Sequence, residues 1–392
     1  MSGPVGDPPS GPAKGPVKSA SHLRALDGLR GVAVLMVLFH NLNALSDTAS
    51  LARRLYDIAA NWGWLGVQLF FVLSGFLITG ILLDTRESEG YYRVFILRRA
   101  LRIFPLYYAV LLVAFVGVPL VLGRRIPGSE HQLWLWIYLE NWVAPAEWTV
   151  VGFTHFWSLC IEEQFYLVWP WVVLLASGRR LSQICVGLAV VALASRVALI
   201  VGSDVGPEGP YAFTICRIDA LVFGALGAIA YRDEALVDRF LAARRRFRWG
   251  ILALTVATLL ATKAAPRVGV LTQTYGFTLF GIVAAVLVFD AAVERDPKDG
   301  LLRALSWAPL RQVGKYSYAM YVFHLPLHLA FGRRWLRSLV GEDVGVGLAT
   351  VYLVVGSLVT FLLAALSYWL FERHFLHLKR RFVVRTAPAA TG

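Results

Sequence analysis

Ionisable side chains occur inside several long apolar stretches of this sequence, where lipid would oppose them. A charged group at the centre of a membrane helix costs roughly 2.5 to 3.5 kcal/mol, so such a group is expected to face a bundle interior or a wet cavity. These positions are therefore the first candidates for chemistry. They are His40, Glu162, Glu163, Arg196, Arg217, Asp219 and His324.

The imidazole of His40 is the first candidate for proton transfer. His40 lies ten residues beyond Arg30, a rise of about 15 Å along a helix. If Arg30 marks the inner end of the first apolar segment, His40 is expected near the middle of the membrane. A neutral imidazole can accept a proton there, but a buried histidine can equally be a hydrogen-bonded part of the core. The residues alone leave both interpretations open.

Two pairs of charged residues stand close together in the sequence. Glu162 and Glu163 are adjacent and point about 100° apart on a helix, so one can face a cavity while the other bonds to a neighbouring helix. Arg217 and Asp219 are two positions apart and cannot face each other on one helix, so each is expected to have a partner elsewhere. An ion pair between helices and direct participation in chemistry are both open for this second pair.

A basic run precedes another apolar segment and could bind an anion. It consists of Arg93, Arg98, Arg99 and Arg102, just ahead of residues 103–105. Arg99 and Arg102 are one helical turn apart, and arginine is suited to bidentate phosphate recognition. The same charges could instead be ordinary positive charge that contacts lipid headgroups.

The composition places these groups in a membrane protein. Of 392 residues, 57% are hydrophobic and only 16% are charged, outside the usual range of soluble domains. The net charge of +13 is spread in short clusters between apolar runs, which indicates membrane topology rather than nucleic-acid binding. Three cysteines lie in apolar stretches without paired spacing, so neither a disulfide framework nor a metal site is expected.

The apolar runs predict an all-α, polytopic bundle of about ten transmembrane helices. The seventh run is short and the tenth is long enough to tilt or to continue as a surface helix. The predicted spans are 28–46, 64–83, 103–122, 156–176, 181–201, 211–231, 249–264, 275–293, 313–331 and 344–371.

The distribution of lysine and arginine predicts that both termini are cytoplasmic. With this orientation, cytoplasmic segments carry roughly three times as many basic residues as external loops, as the positive-inside rule requires. The sequence therefore predicts a multi-pass protein of the cell membrane. Residues 1–21 are expected to be a disordered tail, 22–374 the membrane domain and 375–392 a basic cytoplasmic tail.

The long external segment 123–155 is rich in aromatic residues. Such residues are typical of an interfacial belt or a re-entrant segment, and a substrate platform is the alternative. The aromatic residues are Trp134, Trp136, Tyr138, Trp142 and Trp148.

Several motifs, in this order, resemble the acyltransferase-3 family of integral membrane proteins. They extend through most of the chain, and their order is more specific than any one of them. The matching stretches are 26–31 (LDGLRG) with His40, 63–78 (GWLGVQLFFVLSGFLI), 98–105 (RRALRIFP), 156–167 (FWSLCIEEQFYL), 217–219 (RID) with Gly224, and 316–318 (YSY) with His324.

The resemblance implies an O-acyltransferase that moves an acyl group, commonly acetyl from acetyl-CoA, to a hydroxyl of a carbohydrate, cell-envelope glycan or macrolide-type natural product. It implies that His40, Arg30 and a glutamate, first of all Glu162, are required for catalysis. Our hypothesis is that His40 is the general base and that Glu162 orients its ring or favours its protonated form. It implies that Arg99 and Arg102, with Arg98, bind the donor phosphates. Glu163, Arg217, Asp219, His324 and Ser158 are further candidates, and Ser158 and Ser74 could be nucleophiles or packing serines.

The sequence departs from the family pattern at three points. Nine residues separate Arg30 from His40 instead of ten, which leaves them about 80° apart on a helix, so no direct contact is expected. Gln68 stands where an aspartate is frequent. No esterase-like domain is expected after the tenth helix. A transporter or flippase of an amphipathic molecule is the alternative function, since buried charges also suit a translocation path.

Overall fold

The computed structural model describes residues 24–43, 50–176, 178–263, 266–293, 299–332, 336, 338 and 344–382. Within these residues the chain is all-helical. The long helices are α1 (Arg24–Asn41), α2 (Leu51–Asn61), α3 (Leu65–Asp84), α4 (Tyr91–Leu112), α5 (Trp157–Leu175), α6 (Gly178–Gly202), α7 (Thr214–Ala230), α8 (Glu234–Ala261), α9 (Phe277–Ala292), α10 (Ala308–Leu327) and α11 (Val346–Ser367).

Several long helices are extended by π-helical turns, which are common at functional sites. These turns are Val113–Gly117 after α4, Thr272–Gly276 before α9, His328–Gly332 after α10 and Tyr368–Glu372 after α11. The remaining short helices and 3₁₀ turns are Trp62–Trp64, Val118–Leu122, Ser129–His131, Leu133–Trp136, Glu140–Val143, Ala144–Ala146, Thr154–Phe156, Glu208–Ala212, Gly300–Leu305, Arg373–Leu378 and Lys379–Arg381.

Seven helical segments of the described chain are long and apolar enough to cross a membrane. Each of the ten predicted spans overlaps a long helix, but α1, α8 and α10 do not reach this standard because charged and polar side chains interrupt them. An all-helical protein with several membrane-spanning helices is therefore confirmed. The number of ten spans and the cytoplasmic location of both termini remain predictions.

Several predicted boundaries differ from the structure; for example, α4 begins at Tyr91 rather than near residue 103, so the basic run lies inside this helix. Helix α1 ends at Asn41 rather than near residue 46, and α8 begins at Glu234, well before residue 249. The predicted tail boundary at residue 375 falls inside the helix Arg373–Leu378, which packs against α4. Residues 1–21 and 383–392 of the two predicted tails lie outside the described residues.

Helix α3 lies at the centre of the bundle and packs against α1, α5, α7 and α9. It is apolar around its circumference, as expected of a helix buried on all sides. Glycines allow its closest crossing: Gly75 faces the backbone of Leu221 on α7, and Gly224 of α7 faces the backbone of Val72. Small residues at such a crossing let two membrane helices approach each other.

Helix α1 is held between α3 and α10. Gly31 lies against Leu310 of α10, and Gly314 of α10 lies against Asp27. Near the other end of α1, Gly63 lies against Met36 and His40, so packing fixes the positions of both Arg30 and His40.

The aromatic segment 123–155 folds back onto the bundle. The Tyr138 ring is buried and stacks on Tyr107 of α4 with ring centroids 4.2 Å apart. Trp142 and Trp148 remain about half exposed. The segment therefore combines an inward-facing part with aromatic residues at the surface, and it brings Glu140 into the interior.

The α3–α7 crossing predicts that Gly75→Ala destabilises the protein. A Cβ atom at residue 75 would overlap the Leu221 carbonyl oxygen, and backbone on both sides prevents relief. Overpacking of this kind costs about 1–3 kcal/mol or more, so the thermal midpoint in detergent should fall. Gly187→Ala is the matched control, because a Cβ there meets nothing within 4 Å. Equal stability of the two variants would contradict the packing argument.

Candidate active site

Three arginines and two glutamates meet in a cavity inside the bundle, here called the arginine cavity. Arg30 comes from α1, Arg99 and Arg102 from α4, and Glu162 and Glu163 from α5. Its volume is about 110 Å³, several times the roughly 10–15 Å³ that one water requires. The cavity can therefore hold a small group together with water.

A second space adjoins this cavity and is called the vestibule. It has a volume of about 410 Å³ and shares Arg30, Arg102 and Tyr318 with the arginine cavity. Arg311 and Lys315 of α10 add two further positive charges to its wall. Asp27 and Glu372 also line the vestibule, whose wall keeps a net positive charge. A wide basic space beside a narrow cavity suits a ligand with a large anionic end and a slender arm.

The guanidinium groups of Arg99 and Arg102 are available to an anion. Arg99 lies over the rings of Phe95 and Tyr166, 5.6 and 5.9 Å from their centroids. Among the described residues neither Arg99 nor Arg102 forms an ion pair, whereas Arg30 donates to Asp27 at 3.4 Å. Arginines held in place without a carboxylate partner are suited to bind phosphate.

Both glutamates of α5 line the arginine cavity, contrary to the expectation that only one would face a cavity. The Tyr166 hydroxyl donates to Glu162 at 3.3 Å and lies 2.6 Å from the Ser74 hydroxyl. Glu163 is buried, and its Oε1 has no hydrogen-bond partner in the described part of the chain. Glu162 is thus positioned by a side-chain network, while Glu163 keeps a free acceptor atom.

A larger space at the opposite end of α1 is called the His40 cavity. Its volume is about 640 Å³. It is bounded by the end of α1 and by segments that connect the helices. Its polar lining includes His40, Glu140, Glu147, His155, Glu208 and Arg267.

The hydrogen bond of His40 selects the tautomer that can act as a base. Its Nδ1 lies 3.1 Å from the Ala60 carbonyl oxygen. A carbonyl can only accept, so Nδ1 carries the proton in the neutral ring and Nε2 keeps its lone pair. The ring is half-buried and lines the cavity, which gives Nε2 a route to a ligand hydroxyl.

Arg30 and His40 lie on one helix but line different cavities. This agrees with the expectation that they make no direct contact. Glu162 also lines the arginine cavity and bonds to Tyr166, so it does not orient the His40 ring as the sequence predicted. Arg30 and His40 line different cavities because they are far apart along the axis of α1. His40 is one residue from the end of the helix, whereas Arg30 is in its first half.

Tyr321 of α10 lines both the arginine cavity and the His40 cavity. Its hydroxyl donates to the His155 carbonyl at 2.8 Å and lies 2.6 Å from the Ser158 hydroxyl. His324 does not line either cavity; its Nδ1 lies 2.6 Å from the Tyr321 carbonyl and its ring packs against His155. Ser158 and His324 therefore position the residue at which the two cavities meet.

Arg217 and Asp219 lie outside both cavities. Asp219 pairs with Arg196 of α6 at 2.9 Å, which is the ion pair between helices. Arg217 is fully buried, donates to Gln68 at 2.7 Å and lies 4.0 Å from the centroid of the Phe277 ring. Both residues connect helices around α3, and Gln68 supplies a neutral acceptor where the family often has aspartate.

Lys379 was not predicted from the sequence as a site residue, because it belongs to the predicted C-terminal tail. Burial, followed by the charges of nearby arginines including Arg99 and Arg102, lowers the pKa of Lys379 to about 7. It thus joins the basic region around α4. Glu140 was not predicted as a site residue either; it lies in a four-residue helix of the segment 123–155. Neither has a signal in hydrophobic periodicity.

Similarity to known proteins assigns this architecture to a family. The family model described as an acyltransferase domain, Acyl_transf_3, matches residues 23–369. The chain belongs to the acyltransferase-3 family. The match contains both cavities, and it favours the acyltransferase interpretation over the transporter alternative. No solved structure matches this chain significantly.

Curated members of the acyltransferase-3 family resemble this chain over most of its length. A putative peptidoglycan O-acetyltransferase, YrhL of Bacillus subtilis, is 28% identical and covers 90% of this chain and 54% of its own length. The peptidoglycan O-acetyltransferase OatA of Listeria monocytogenes is 29% identical over 79% of this chain and 50% of the relative. The O-acetyltransferase OatA of Staphylococcus aureus is 28% identical, and the match covers 90% of this chain and 57% of the relative. The chain therefore spans about half the length of these relatives.

Proposed function

We propose that this acyltransferase-3 chain is a membrane O-acyltransferase that uses an acyl-CoA donor. The expected donor is acetyl-CoA. The acceptor is a hydroxyl of a carbohydrate, cell-envelope glycan or macrolide-type natural product. The observation that carries the proposal is the pair of chemically different cavities that share Tyr321 and Val67 in their walls. Relatives that are named as peptidoglycan O-acetyltransferases support O-acetylation and a glycan acceptor.

The donor enters through the vestibule. Its nucleotide phosphates lie against Arg30, Arg102 and Lys315, and its slender arm extends past Arg99 towards Tyr321. Several arginines without carboxylate partners suit a polyanion because each can form charge-assisted hydrogen bonds. If both termini are cytoplasmic, the vestibule opens to the compartment that contains coenzyme A thioesters.

The acceptor enters through the His40 cavity. The Nε2 atom of His40 takes the proton of the acceptor hydroxyl while the hydroxyl oxygen forms a bond to the thioester carbonyl carbon. The carbon–sulfur bond then breaks, and coenzyme A leaves as a thiolate that takes up the proton held by His40. The ester product remains on the side of the His40 cavity.

Glu162 and Arg30 act at the donor end rather than on the imidazole. Tyr166 and Ser74 hold the Glu162 carboxyl beside the arginines, so Glu162 keeps the guanidinium groups apart and oriented. Arg30 lines both the vestibule and the arginine cavity. It can therefore contact the donor in both spaces.

Loss of the α4 arginines should weaken donor binding. Charge-assisted hydrogen bonds contribute about 1.5–3 kcal/mol each, so Arg99→Ala and Arg102→Ala should each raise the KM for acetyl-CoA about tenfold or more. Radiolabel transfer in membranes measures this effect. Arg98→Ala is the matched control, since Arg98 precedes Arg99 but lines neither space. A KM that changes equally in all three variants, or in none, would contradict the donor site.

Loss of the His40 imidazole should reduce turnover rather than donor binding. General-base catalysis typically contributes 10²–10⁴-fold, so His40→Ala should lower kcat by about 100-fold or more with little change in the KM for acetyl-CoA. The assay follows acetyl transfer in membranes that contain the native acceptor. His131→Ala provides a control imidazole in the segment 123–155 outside the cavity. Normal kcat in a correctly inserted His40→Ala protein would refute the base assignment.

A further inference from the structure

Glu140 is one of the residues that line the His40 cavity, and its carboxyl group is buried without a partner among the residues that the structure describes. Its side chain is 1% exposed, and neither carboxyl oxygen has a hydrogen-bond partner in the described residues. More than nine in ten buried polar groups in proteins have a partner, so each exception requires an explanation. Because Glu140 borders a cavity of about 640 Å³, a rotation of its side chain would let a ligand supply the missing partner.

The other charges that face this cavity do not compensate Glu140. Arg267 forms two hydrogen bonds with Glu208, at 3.0 and 2.9 Å, so that pair is already neutral. Glu147 is exposed and adds a second negative charge. His40 and His155 are the remaining titratable lining groups apart from the tyrosines. Glu147 is therefore the uncompensated charge of the cavity, and the buried carboxyl group of Glu140 can add a second one only when it loses its proton.

The protonation state of Glu140 depends on the charge of the ligand in the cavity. Burial raises the pKa of Glu140 well above its ordinary value, so the carboxyl group is expected to keep its proton while no cation is near. A positive ligand group would stabilise the carboxylate and release that proton, because an opposite charge favours the ionised form.

We propose that the His40 cavity is an acceptor subsite for a hydroxyl-bearing molecule that also carries an ammonium group, and that Glu140 pairs with this ammonium. The inference rests on the proposed function and deepens it by naming the charge class of the acceptor. Amino sugars have this chemistry, with a hydroxyl and an ammonium on one ring.

The charge separation between the two cavities supports this assignment. The vestibule and the arginine cavity carry the unpaired guanidinium groups, which attract the polyanionic donor. The charge of Glu147 would repel the same donor and an acceptor with a carboxylate, and a protonated Glu140 offers neither of them a positive partner. Each substrate is therefore directed to its own end of α1.

Three related sugars distinguish the effect of the acceptor's charge from recognition of the sugar ring. Glucosamine is cationic, N-acetylglucosamine is neutral and N-acetylmuramic acid is anionic. The full chain, purified in detergent, is given radiolabelled acetyl-CoA and each sugar, and kcat/KM is measured for acetyl ester formation. Binding of each sugar is measured separately by calorimetry without donor. N-acetylation of glucosamine is distinguished by alkaline hydrolysis, which removes only esters.

The wild-type protein should bind and use glucosamine best and N-acetylmuramic acid least. Glu140→Gln should lower the glucosamine to N-acetylglucosamine ratio of kcat/KM by about tenfold, which corresponds to about 1.4 kcal/mol. Comparing the ratio in the two proteins cancels the difference in size between the sugars. Glu147→Gln is the matched control, and its exposed charge should change the ratio less because solvent screens it.

Each other outcome contradicts a defined part of the account. A ratio that is the same in the wild-type and Glu140→Gln proteins would overturn the role of Glu140. Turnover of acetyl-CoA without binding of any of the three sugars would overturn the amino-sugar subsite while leaving the proposed function intact. No acetyl transfer and no thioester hydrolysis in a folded protein would instead refute the proposed function. If Glu140→Gln does not fold, N-acetylmuramic acid binding as tightly as glucosamine to the wild-type protein would overturn the subsite.

Discussion

A charge inside an apolar helix bundle must find an opposite charge, a hydrogen-bond network or a cavity, because its burial alone is strongly unfavourable. This constraint separates the structural charges of the protein from its site. Arg196 is satisfied by Asp219 across two helices, and Arg217 donates to Gln68 and packs against aromatic rings, while its Nε and Nη1 have no partner in the described residues. By contrast, Arg99, Arg102 and Glu140 lack a charged partner in the described chain and line cavities. Their missing partners define what the cavities can bind.

Helix α1 distributes the chemistry between two ends of the bundle. Its packing against α3 and α10 places Arg30 at the arginine cavity and His40 at the opposite, connecting-segment end. The proposed reaction therefore takes place where the two spaces meet, at Tyr321, rather than inside one pocket that surrounds all the candidate residues. An arrangement of this kind keeps a polyanionic donor and an acceptor apart until only the acyl group and the hydroxyl meet.

The sequence predicted the helices well because long apolar runs and their polar interruptions are local properties. It predicted the set of α5 glutamates and α4 arginines for the same reason, since each motif lies on one helix. It did not predict that Glu162 and His40 would lie in different cavities, because the axial offset of α1 and α5 depends on packing through α3. Glu140 and Lys379 were missed because a four-residue helix and a terminal turn acquire their surroundings only in the tertiary structure.

The most direct test of the account is a cryo-electron microscopy structure of the full chain with an unreactive thioether analogue of acetyl-CoA. The account predicts nucleotide phosphates against Arg30, Arg102 and Lys315 in the vestibule, with the acyl end beside Tyr321 and the His40 cavity free of the analogue. An analogue bound in the His40 cavity, or phosphates held away from these basic residues, would contradict the separation of donor and acceptor on which the proposed mechanism depends.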